Sequence, residues 1–118
     1  MFIEVKEIKN EKIAFVKCEN KSIKNADDML DIMGDANYLG ANKIVLNKDY
    51  LTDDFFDLKT RIAGDILQKF SNYHMKIAIW GDFSIYNSRS LKDFIYECNN
   101  GNTVFFSIDE NEALSRLL

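Results

Sequence analysis

Between Asp82 and Ser90 the chain gathers a carboxylate, three hydroxyls, an amide and a guanidinium in Asp82, Ser84, Asn87, Ser88, Arg89 and Ser90. They follow an apolar run that ends in Trp80 and Gly81, and they lead into a segment with helical spacing. The free N–H groups at a helix start attract anions, and a neighbouring arginine and serines strengthen that attraction. With Trp80 and Tyr86 beside them, these residues could hold a small anion or phosphorylated molecule. The same residues also make an ordinary loop and helix cap. Asp82 is a residue type that serves as a general base, but one carboxylate without a partner acid or an activated nucleophile does not make a catalytic pair. His74 is the only histidine. It falls in a turn at the opposite end of the expected sheet, so the serines lack a triad partner. Cys18 and Cys98 read as buried free thiols. Without a Cys/His cluster no metal site is expected, and without a glycine-rich phosphate cradle no nucleotide cofactor is expected.

A second group lies between Thr52 and Thr60. Phe55 and Phe56 are either core anchors or aromatics that a partner covers, and Tyr50 extends that candidate surface. Asp57, Lys59 and Thr60 put an acid, a base and a hydroxyl on the following turn. A phosphate on Thr60 would add about −1.5 to −2 charges next to Asp57 and repel an acidic partner.

Both groups depend on Thr52–Phe83, which reads as a long helix, a turn and a central strand. Thr52 is the expected cap, and Asp53 and Asp54 suit the positive end of the helix. Leu58, Ile62, Ile66 and Phe70 recur at four-residue steps, flanked by Ala63 and Leu67. Asp57–Arg61, Arg61–Asp65 and Asp65–Lys69 form an expected charge ladder on the wet face. Gly64 in mid-helix suggests the close approach of a neighbouring backbone.

Around this centre, Phe2–Ile8 and Lys12–Lys17 read as a hairpin whose first strand carries the edge-protecting charges Glu4, Lys6 and Glu7. Asn25, followed by Asp28, starts a helix with Ala26, Met29, Leu30, Met33 and Ala36 facing inward, and Gly40 ends it. Lys43–Leu46, Lys76–Trp80 and Thr103–Ile108 are strands. Ser88 or Ser90 caps the helix of Leu91, Phe94, Ile95 and Cys98, and Asp109 opens a last one with Ala113, Leu114, Leu117 and Leu118. The order is ββαβαβαβα, a single α/β domain over residues 1–118 with a five-stranded mixed sheet.

A chain of 118 residues with 47% apolar and 29% charged content has the makings of one globular core. A net charge of −4 and the lack of a basic stripe argue against nucleic acid. No apolar run approaches the roughly 20 residues of a membrane span, and the start lacks a signal-peptide pattern, so a cytoplasmic protein is expected.

The stretches FFDLKTRIAGDILQKFSNY, IAIWGDFS and SLKDFIYECNNGNTVFF resemble a family of small bacterial proteins, domain of unknown function 4180. That likeness implies no established activity. The order of elements also resembles the STAS fold of anti-sigma-factor antagonists. It implies a regulatory module that binds a protein, switched by phosphorylation near the start of the central helix. Asp57 and Thr60 in DLKTRIAG match that switch, while Lys59 stands where a small hydroxyl residue is expected. A non-enzymatic module binding a protein partner or a second copy is the leading reading, and a small-molecule or anion site at the strand ends is the alternative.

Overall fold

Lys9 and Asn10 both adopt positive φ, 51° and 66°, and so form the two-residue turn that matches the right-handed twist of paired strands. The turn joins β1 (Phe2–Ile8) to β2 (Glu11–Lys17) with Ile8 opposite Glu11 and Phe2 opposite Lys17. The computed structural model describes all of residues 1–118. Helix α1 (Ala26–Tyr38) begins at Asn25, whose Oδ1 accepts from the Asp28 N–H at 3.0 Å. The Asp28 carboxylate in turn accepts from the Lys24 N–H at 2.8 Å, so one unpaired donor of the first turn and one of the residue before the cap are both satisfied. Met29, Ile32, Met33 and Ala36 are its buried stripe, and Gly40 leaves the helix at φ 88°.

The chain then lays down β3 (Lys43–Asn47), α2 (Ile62–Asn72), β4 (Lys76–Trp80), α3 (Arg89–Asn99), β5 (Val104–Ser107) and α4 (Glu110–Leu117). The sheet order is β1-β2-β3-β4-β5, antiparallel for the first pair and parallel thereafter. Parallel crossovers are right-handed, so an order that never reverses puts successive crossover helices on one face. Accordingly α1, α2 and α3 share the larger core with Ala14, Val16, Ile44, Leu46, Ile77, Ile79, Val104 and Phe106. α4 covers the other face, where Ala113 and Leu117 meet Ile13, Phe15, Val45, Ala78 and Phe105. With both faces covered, the inner strands carry continuous apolar runs instead of alternating ones.

The central helix is shorter than the periodicity suggests. Thr52–Thr60 is not α-helical: it holds two 3-10 turns, Asp53–Phe56 and Leu58–Thr60, and a third, Lys48–Tyr50, comes before it. Side chains compete for the backbone there. Asn47 Oδ1 takes the Asp49 N–H at 2.8 Å and Asp57 Oδ1 takes the Lys59 N–H at 3.1 Å, each closing a local turn. Arg61 then sits in the left-handed region at φ 67°, which interrupts any continuous helix. Thr52 makes no cap, and its buried hydroxyl oxygen has no partner. The expected ladder of Asp57, Arg61, Asp65 and Lys69 is absent from the ion pairs: Asp57 and Arg61 precede the helix, and Asp65 and Lys69, both within it, do not pair. Gly64 faces open space, and a Cβ there would meet nothing within 4 Å, so no backbone approaches it. Ala63, Ile66 and Phe70 are buried as the stripe requires.

Candidate functional site

At the carboxyl ends of β3 and β4 the candidate loop folds on itself. Asp82 Oδ1 accepts from the Ser84 N–H at 2.9 Å and from the Ser84 hydroxyl at 2.5 Å. These bonds favour the ionised form and hold the exposed carboxyl below its ordinary range. Asp82 is thus an acceptor closing a turn; the one hydroxyl paired to it, that of Ser84, belongs to the same turn, and no histidine or second acid stands beside the two. Ser88 is the cap of α3, accepting from the Leu91 N–H at 3.1 Å. Asn87, Arg89 and Ser90 are exposed. None of the larger cavities is lined by any of these residues. An open α/β sheet binds ligands where its strand order reverses, and this sheet has no such reversal. The enclosed space at these strand ends lies on the α4 face between Asn47, Tyr50, Trp80 and Glu110, and measures about 160 Å³.

Lys48 is the residue that sequence reasoning missed. Its stem crosses Gly81, where a Cβ would come within 2.6 Å of Lys48 Cγ. Its ammonium donates to Tyr86 Oη at 3.3 Å and to Asp49 Oδ1 at 3.2 Å, while Tyr86 stacks on Phe56 with centroids 4.6 Å apart. Burial pulls its pKa down most, but the bonds and charges of Tyr86 and Asp49 outweigh it and the net shift is upward. Lys48 is therefore held as a cation that ties β3 to the loop after β4. A lysine directly after an apolar strand, with a glycine at the end of the next, was the available signal.

The Thr52–Thr60 group divides. Phe55 and Phe56 are 2% and 6% exposed, so they are core anchors and do not form a partner surface. They lie edge to face with centroids 4.9 Å apart, and Tyr50 is half-buried. Asp57, Lys59 and Thr60 are exposed. The Thr60 hydroxyl lies 2.7 Å from the Asp54 carbonyl and 2.8 Å from that of Asp57, bracketing two successive turns.

The sheet's margins supply a different candidate. At β5 the outward N–H of Phe106 donates to Asn99 Oδ1 at 2.8 Å, and its carbonyl accepts from Asn99 Nδ2 at 3.1 Å. At Phe106 a side-chain amide thus takes the place of a sixth strand. β1 has no such cover. Phe2 is 60% exposed on it, and Met1, Tyr38 and Leu39 are exposed beside it. A groove of about 300 Å³ runs between Ile3 on the strand and Asp35, Tyr38 and Leu39 at the end of α1. On the opposite side of β1, Glu4 and Lys6 stand 3.6 Å apart, with the Lys6 ammonium 4.7 Å above the Phe15 ring. Apolar surface, an unpaired backbone and a regular charge pattern meet only at this margin of the sheet.

Comparison with known families matches residues 8–117 to the family model described as Domain of unknown function (DUF4180). The chain belongs to that family. The match opens at Ile8, so the rest of β1 precedes it. No curated protein and no solved structure matches the chain. No helix is long and apolar enough to cross a membrane.

Proposed function

We propose that the protein is a non-enzymatic protein-interaction module, acting in a cytosolic regulatory setting through β1 and the adjoining end of α1. The observation that carries this reading is the unequal treatment of the two sheet edges. β5 is sealed at Phe106, midway along its edge, by Asn99, whereas β1 is open and flanked by Met1, Phe2, Tyr38 and Leu39. An open strand edge offers backbone hydrogen bonds to an added strand, and neighbouring apolar side chains give the contact its grip. The hairpin followed by βα units in unreversed order supports the STAS-like reading of a regulatory module. The test places a photo-crosslinking residue at Tyr38, on the candidate face, or at Tyr96, exposed on α3. The expected outcome is a protein adduct from position 38 and none from position 96. Equal yields from the two positions would overturn the assignment of the face.

A further inference from the structure

We infer that the strand which docks on β1 is β1 of a second copy, antiparallel, with Val5 opposite its own symmetry mate; this rests on the interaction-module reading and names its partner. The turn at Lys9 and Asn10 makes Ile8 and Glu11 the closing hydrogen-bonded pair of the hairpin. Alternation along an antiparallel ladder then turns the N–H and C=O groups of Ile3, Val5 and Glu7 to the free edge. A docking strand of the same sequence must answer them with its own odd-numbered residues.

Charge selects among the registers that remain. With Val5 at the two-fold axis all of FIEVKEI overlaps, and Glu4 of each copy faces Lys6 of the other. Phe2, exposed in the single chain, faces Ile8, and Val5 faces Val5. Slipping one strand by two residues in one direction puts Glu4 opposite Glu4, and in the other direction Lys6 opposite Lys6. Parallel, in-register pairing also sets like beside like. Opposite charges across strands attract and like charges repel, so a single register is favoured. An isologous contact of this kind closes on itself, joining two five-stranded sheets into one and leaving only the Asn99-sealed edges outside.

The test is association measured by sedimentation or light scattering, with circular dichroism to verify the fold. The native chain should show the mass of two copies at high concentration and of one on dilution. Glu4→Lys and Lys6→Glu should each weaken association by about tenfold or more, because two-fold symmetry turns both attractive pairs into repulsive ones. An equimolar mixture of those two variants should recover it, since both lysines of one copy then face both glutamates of the other. Glu7→Pro, which removes an outward donor at an exposed position, should abolish association while keeping the hairpin. A monomer at every concentration, or a mixture no tighter than its components, would overturn self-pairing. A monomer that still crosslinks another protein from position 38 would overturn self-pairing alone and leave the interaction module standing.

Discussion

The outer strands of the sheet face the same hazard, a row of backbone donors and acceptors with no neighbour, and the chain meets it in two ways. β5 is four residues long, buried at every position and without a charge, which makes it a template for unwanted pairing. It is closed by Asn99, whose amide satisfies both outward groups of Phe106. β1 is seven residues long and stays open, but Glu4, Lys6 and Glu7 interrupt its apolar positions. Sealing at Phe106 leaves a four-residue edge without the run of free donors and acceptors that an added strand needs. Charge patterning leaves the edge available and restricts what can pair with it, which makes it a specificity device as well as a protection.

Truncation at the two margins should separate them most. Phe106 is buried and packs edge to face on Phe83, with centroids 5.3 Å apart. Phe106→Ala should cost about 3–5 kcal/mol, whereas Phe2→Ala should stay within about 0.5 kcal/mol in the isolated chain. Denaturant unfolding at low protein concentration reads both, and similar losses would break the contrast.

Removing the seal should have the next largest effect. Asn99→Leu gives up two hydrogen bonds and strands both Phe106 groups, a loss of about 2 kcal/mol. It should also make the protein aggregate. Cys98, next to Asn99, supplies a second readout. Burial, with a smaller contribution from Glu97, pushes its thiol up to about 11. An acid whose folded pKa is raised stabilises the fold fully below its unfolded value and loses that contribution as pH climbs toward about 11. Near pH 8 the native thiol should therefore alkylate slowly, and faster in Asn99→Leu. Unchanged stability and thiol rate would show that Asn99 does not seal the edge.

A smaller gain should come from a site that touches neither margin. Gly64 lies in α2 with open space where a Cβ would go, so Gly64→Ala should add about 1 kcal/mol. The unfolding midpoint should rise while association stays as it was. A fall in stability would mean that α2 is strained there.

The elements were legible wherever local chemistry and burial agree. Asn25, Ser88 and Asp109 cap the helices they precede in sequence, and the apolar runs at Lys43, Lys76 and Val104 are strands. Thr52–Thr60 departs from the helix that its apolar spacing suits, because Asp57 and Thr60 tie up the backbone in tighter turns. The loop at Asp82–Ser90 has residue types suited to binding, but composition does not reveal whether side chains converge or close turns. The charges of β1 were legible as protection. That Asn99 seals the far edge was not, since an asparagine late in a helix has many uses and strand order decides which applies.

Amide hydrogen exchange followed against protein concentration tests the account most directly, because it reads both edges in one experiment. The Phe106 amide should be protected at every concentration. Those of Ile3, Val5 and Glu7 should exchange fast when dilute and gain protection together as concentration rises. Fast, concentration-independent exchange of the β1 amides, or an unprotected Phe106, would contradict it.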